Sequence, residues 1–101
     1  MERVTLYRAV SEEEFQQLVM TGTFETVPHA LEGKFFAEHP EHAAMWGEAL
    51  TRGGAYRVVA VELPACVAAG MLRWERLDGI GPARYAALSQ LQDVTVRLYP
   101  S

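Results

Sequence analysis

Val4 to Ala9 alternates, with Val4, Leu6 and Arg8 on one side and Thr5, Tyr7 and Ala9 on the other. A period of two predicts a strand with two distinct faces, and Arg8 closes the aliphatic one. The next residues carry a helix start: Ser11 as N-cap, Glu14 three positions on as a capping box, and Val10 placed to staple against Phe15. Phe15, Leu18 and Val19 form its expected buried stripe, and Gly22 supplies a left-handed stop. Thr23 to Ala30, interrupted by Pro28, reads as a short strand piece followed by an irregular loop.

Lys34-Phe35-Phe36-Ala37 is apolar enough for a brief buried strand, and His39-Pro40-Glu41 opens a second helix with proline at its first position. Ala43, Trp46, Gly47 and Leu50 share one face of that helix, and Arg52-Gly53-Gly54 ends it. Tyr56 to Leu63 is the strongest strand, its Val58-Val59-Ala60-Val61 run fitting a central position covered on both sides. Pro64 terminates it. Ala65 to Met71 fits one helical turn or a loop, and Leu72 to Trp74 fits a strand. Leu77-Asp78-Gly79-Ile80-Gly81-Pro82 is turn chemistry, Ala83 to Leu91 reads as a short helix, and Val94, Val96 and Leu98 mark a last alternating strand. The sum is an α+β chain with four or five short strands and two main helices.

Composition narrows the classes. The 101 residues make one compact domain, because an independent core needs on the order of 100 residues. Half the residues are apolar and 22% are charged, which excludes disorder along most of the chain. No apolar run approaches the roughly 18 residues of a membrane helix, so a soluble chain with no membrane partner is expected. Thirteen acids against nine bases give a net charge of −4, which argues against DNA or another phosphate backbone as partner. Cys66 is the single cysteine, and the first residues lack the layout of a secretion signal, so a cytoplasmic location is expected.

Few side chains stand out as chemistry. Arg8 either presents a planar fork of donors to a carboxylate or diphosphate, or pairs with a nearby acid of the chain itself. Phe35 and Phe36 offer a stacking wall or plain core. His39 and His42 flank a helix start at a spacing too common to mark a metal site and read as solvated surface. Glu12, Glu13 and Glu14 favour the positive end of their helix. Cys66 has no cationic sequence neighbour and reads as a small buried apolar residue. The Gly79 to Pro82 turn is too short to cradle a phosphate.

One ordered set of motifs says more. Leu6-Tyr7-Arg8-Ala9 on a first strand, then Leu31-Glu32-Gly33-Lys34-Phe35-Phe36-Ala37 running into Glu38-His39-Pro40-Glu41-His42-Ala43-Ala44-Met45-Trp46-Gly47, then Leu77-Asp78-Gly79-Ile80-Gly81-Pro82-Ala83-Arg84-Tyr85, resembles the ADP-ribosyltransferase fold. The similarity is to poly(ADP-ribose) polymerases, RNA 2′-phosphotransferases and small domains fused to bacterial polymorphic toxins, and it spans roughly residues 6 to 85. It implies two small split antiparallel β-sheets and nicotinamide adenine dinucleotide (NAD) in the cleft between them, with no metal. The partners it implies are that dinucleotide and a protein acceptor, with a homodimer as a further expectation.

By that likeness Arg8 occupies the first motif position and contacts ribose or diphosphate, and Tyr7 beside it lines the cleft. Gly33 and Lys34 line the cleft, and Phe35 or Phe36 stacks on nicotinamide. The third motif position, a glutamate in the family, falls in the Gln90-Leu91-Gln92-Asp93-Val94 region, which holds no glutamate. The catalytic position then falls to Gln90, Gln92 or Asp93. A carboxamide hydrogen-bonds a ribose hydroxyl but sets no negative charge opposite a developing cation, whereas Asp93 brings charge on a shorter side chain. The resemblance therefore implies an NAD-binding domain with weak or no transferase activity. The competing reading is a non-catalytic interaction protein that uses a surface around Trp46 or Trp74.

Overall fold

The computed structural model describes residues 2–22, 24, 33–77, 79–91 and 94–99. Strand β1 (Arg3–Val10) leads into helix α1 (Glu12–Thr21), followed by β2 (Gly33–Ala37), α2 (Pro40–Thr51) and β3 (Arg57–Pro64). Next come α3 (Ala65–Ala69), β4 (Leu72–Leu77), β5 (Gly81–Ala87), a 3-10 turn over Leu88–Leu91, and β6 (Thr95–Tyr99). The six strands make one antiparallel sheet in the order β4-β5-β2-β1-β3-β6, so the chain is α+β.

The sheet is unevenly stitched. β1 and β3 pair along eight positions, from Arg3↔Pro64 to Val10↔Arg57, and β2 pairs β5 along five. Between these two ladders β1 and β2 share a single register pair, Tyr7↔Ala37. Two three-stranded halves, β4-β5-β2 and β1-β3-β6, thus meet at a seam.

Alternation sorts the buried side chains onto two faces. Leu6, Val10, Phe36, Val59, Val61 and Leu63 pack with Leu18 of α1, Ala68 of α3 and Leu91 in one apolar cluster, to which Phe24 adds an edge-to-face contact with Phe36 at 5.5 Å. The neighbours that alternation turns to the other face, Ala37, Ala60 and Ala83, are buried with Ala43 of α2 outside that cluster. Small residues let α2 lie close to the strands. At Gly47 a β-carbon would run into the Tyr56 ring, and at Gly81 into the His42 ring.

The local signals of the first helix hold. Ser11 Oγ accepts from the Glu14 amide at 3.1 Å, and Gly22 closes α1 at φ +72°. Pro40 stands in the first turn of α2, whose C-cap Arg52 adopts φ +55°. Other expectations fail in instructive ways. Ala83 to Leu91 is not a helix: its first half is β5, because Ala83 and Ala86 each bury against a different face of the sheet, and only Leu88–Leu91 coils. Gly81 and Pro82 belong to β5 rather than to the turn before it. Val19 is 66% exposed and Leu50 is also exposed, since each helix meets the sheet along a narrower stripe than its apolar pattern suggests. Cys66 is exposed rather than buried. The expected strand piece and loop over Thr23 to Ala30 lie outside the described residues apart from Phe24. Among the described residues, no helix is long and apolar enough to cross a membrane.

Candidate functional site

The seam is where charge gathers. Arg8 shares its face of β1 with the buried Leu6 and Val10, one turn before α1 begins. Because Glu14 sits at the third position of that helix, its carboxylate reaches back over the strand end. Arg8 Nε meets Glu14 Oε2 at 2.8 Å and Nη2 meets Oε1 at 3.0 Å, a two-pronged pair. The remaining arm of the fork, Nη1, donates to the Phe35 carbonyl of β2 at 3.1 Å. A guanidinium thus bridges the two halves where the β1–β2 ladder has stopped.

Lys34 completes the group, with Nζ 3.9 Å from Glu14 Oε1. The side chains of Arg8, Glu14 and Lys34 are 20%, 17% and 16% exposed, so two cations and one carboxylate share a largely dehydrated corner. Burial pushes the Lys34 ammonium below the usual lysine range, Glu14 opposes that shift, and Arg8 adds to it. The corner carries one net positive charge and retains unused donors on Lys34, which suits a phosphate or carboxylate.

The residues singled out by sequence are brought together only in part. Arg8 and Lys34 meet, and Gly33 opens β2 beside Lys34. Gln90 falls at the same end of the β2–β5 ladder: Gly33 pairs with Ala87, whose amide donates to Gln90 Oε1 at 2.9 Å. Phe36 is fully buried in the common core and has no ring face to offer a ligand, a consequence of alternation that turns it inward beside Leu6. Phe35 points to the opposite face from Arg8, where its ring packs against Tyr85 at 4.9 Å and Trp74 at 5.8 Å. Tyr7 also alternates away from Arg8, and its ring meets Tyr99 edge-on at 5.3 Å. Gln92 and Asp93 lie outside the described residues.

Glu14 is the residue that sequence reasoning passed over, having assigned it to the helix end alone. Its capping-box position was the available signal, since an acid at that position folds back toward the preceding strand. The pairing with Glu14 also shows that Arg8 does hold a nearby acid of its own chain.

A second charged cluster lies on β4 and β5. Arg73 and Arg84 are register partners, so two guanidinium groups face each other across neighbouring strands. Glu38, just after β2, accepts from Arg73 Nε at 2.6 Å and from Arg84 Nε at 2.8 Å. The Arg73 contact chiefly, with help from Arg84 and against the cost of burial, holds the Glu38 carboxyl down to about 2. Arg84 Nη1 also donates to the Ala68 carbonyl at 2.8 Å, tying α3 to β5. One carboxylate thus holds both guanidinium groups, and the cluster acts as a clasp between β4, β5 and the end of β2.

At the start of α2, the ring of the N-cap His39 stands 5.1 Å from that of His42. His42 is not the solvated residue its spacing suggested: the close approach of Gly81 packs its ring, and its Nδ1, like Nε1 of Trp46, is buried with no hydrogen-bond partner among the described residues. No group of three or more metal-ligating side chains occurs among the described residues. Compared with known proteins, the chain matches no family model, no curated protein and no solved structure.

Proposed function

We propose that this chain binds an anionic dinucleotide of the NAD or ADP-ribose type at the seam between β1 and β2, with Arg8 and Lys34 meeting its diphosphate. The observation that carries the reading is the half-buried corner of two cations and one carboxylate, set where the two half-sheets are joined by one register pair. Support also comes from the motif order along the chain, which implies a dinucleotide in a cleft between two small sheets. In this reading Glu14 holds Arg8 ready, and the diphosphate joins the cluster from the Lys34 side. Gly33 gives the ligand close access to backbone, and Gln90, at the same end of the β2–β5 ladder, offers a side-chain amide for a ribose hydroxyl. Nicotinamide stacking is left to a ring other than Phe36, and Tyr7 and Phe35 serve packing on the far face.

Transfer of ADP-ribose is the secondary part of the reading. Glu14 is neutralised by Arg8, so no carboxylate of the corner is free to oppose an oxocarbenium ion. We therefore favour binding with slow or no turnover. Titration calorimetry with NAD and with ADP-ribose tests it, alongside an assay for released nicotinamide. Arg8→Ala and Lys34→Ala are each expected to weaken binding by about ten- to a hundredfold, the value of one charge-assisted contact. Absence of heat with either ligand for the folded wild-type chain overturns the proposal. Rapid nicotinamide release would overturn the secondary part alone.

A second reading, an interaction protein, is favoured by one observation: Leu72 and Trp74 on β4 are 65% and 39% exposed.

A further inference from the structure

Among the described residues, strands β4 and β6 end the sheet, and each presents an outer row of backbone donors and acceptors with no strand beside it. Their side chains treat that exposure differently. On β6, Tyr99 is folded against Tyr7, Arg97 pairs with Glu62 at 3.3 Å, and Pro100 follows in sequence. On β4, Leu72-Arg73-Trp74-Glu75-Arg76-Leu77 carries no proline and no lysine, and its apolar side chains Leu72 and Trp74 stand open. Beside them on the same face lie Tyr85 and Phe35, so the open strand borders an aromatic shelf.

We propose that β4 pairs antiparallel with β4 of a second copy of this chain, about a two-fold axis through Trp74, joining two sheets into one. This inference is independent of the nucleotide reading. Its register follows from charge. An antiparallel pairing of identical strands that keeps each sheet face continuous places its axis on a residue, with positions equally distant from it facing each other. An axis at Arg73 or Arg76 sets arginine against arginine, and one at Glu75 sets glutamate against glutamate. The axis at Trp74 sets Arg73 against the partner's Glu75 twice over and lays the two indole rings side by side. The β4–β5 register shift lies beyond Trp74, which leaves Leu72 to Trp74 regularly paired to β5. Glu75 remains on the face of Arg73, since their side chains already touch at 2.6 Å in one chain, and the 88% exposed Glu75 carboxylate is open to a second guanidinium. Trp74 and Leu72, costly to leave in water, become covered.

Sedimentation equilibrium over a concentration series is expected to give twice the 11.3 kDa chain mass at the upper end. Glu75→Arg alone places arginine against arginine, and Arg73→Glu alone places glutamate against glutamate, so each is expected to run at the single-chain mass. Mixed in equal amounts, the two variants restore both opposite-charge pairs and are expected to associate with each other. Should Arg73→Glu fail to fold for want of its Glu38 contact, Trp74→Arg supplies the break, with like charges meeting on the axis, and Glu75→Arg the second. A wild-type chain of single mass up to millimolar concentration overturns the proposal. So does a dimer that survives both Glu75→Arg and Trp74→Arg, or a mixture of the two folded charge variants that stays monomeric.

Discussion

The two halves of the sheet are held together by different forces. β1-β3-β6 is a long ladder with valine after valine at its centre, and its stability comes from eight paired positions and the dry burial of Val59, Val61 and Leu63. β4-β5-β2 is shorter and more polar. It relies on one acid, Glu38, to reconcile Arg73 with Arg84, on the ring cluster of Phe35, Tyr85 and Trp74, and on Phe36 with Ala86 to reach the common core. An apolar ladder tolerates changes of charge and resists changes of volume. A half closed by an ion clasp shows the opposite sensitivity, and the seam between the two is where charged side chains find room.

Truncation of the core tests this contrast with the largest effects. Phe36→Ala is expected to cost about 3–5 kcal/mol, and Leu63→Ala about 2–5 kcal/mol, because each leaves a cavity in the shared cluster. Chemical denaturation monitored by both far-ultraviolet dichroism and tryptophan fluorescence should show one transition for each variant. Separate transitions for the two halves would mean that the common core does not couple them.

Gly81→Ala comes next. Its new methyl must displace the His42 ring, a change expected to cost roughly 1–3 kcal/mol. Hydrogen exchange should rise in α2 and β5 while the β1–β3 amides keep their protection. Equal loss of protection in β1–β3 would count against independent closure of the smaller half.

Glu38→Gln removes the clasp and is expected to cost about 1–3 kcal/mol at neutral pH, since it leaves Arg84 without its carboxylate and Arg73 with the exposed Glu75 alone. The sign with pH follows from the carboxyl being held down to about 2 against an ordinary 4.5. Its contribution is full above the ordinary value and is lost as pH falls toward 2, so the gap between wild type and variant should narrow between about pH 5 and pH 2. A gap that stays constant in urea melts across that range would assign the loss to packing rather than to charge.

The smallest effect is expected at Arg57 and Glu12, an exposed pair with Nε–Oε2 at 2.8 Å that joins β3 to α1. Replacing either by alanine should leave the melting temperature within measurement scatter, because water and salt screen such pairs. A clear loss of stability there would show that surface charge also matters in the apolar half.

Elements whose signals are local were legible in the sequence. Ser11, Glu14 and Gly22 bound α1, and Pro40 opens α2, because caps and first-turn prolines act on backbone groups within four residues. β5 was not legible. Ala83-Arg84-Tyr85-Ala86-Ala87 follows a Gly-Pro turn signal and is rich in helix formers, yet it is a strand because β2 and β4 pair with it on both sides. The seam was half legible: Arg8 at the end of an aliphatic face and Lys34 after a glycine were visible. Their meeting through Glu14 depends on the angle at which α1 leaves β1.

What the chain determined unaided is the capped helices α1 and α2 and the alternating strands β1 and β3, since periodicity and capping are properties of near neighbours. Only tertiary structure decided which of two adjacent phenylalanines is core, which acid holds Arg8, and which strand is left at the edge with Trp74 in the open. Those depend on strand order and register, where a shift of one residue exchanges the two faces and a reordering of strands exchanges edge for centre.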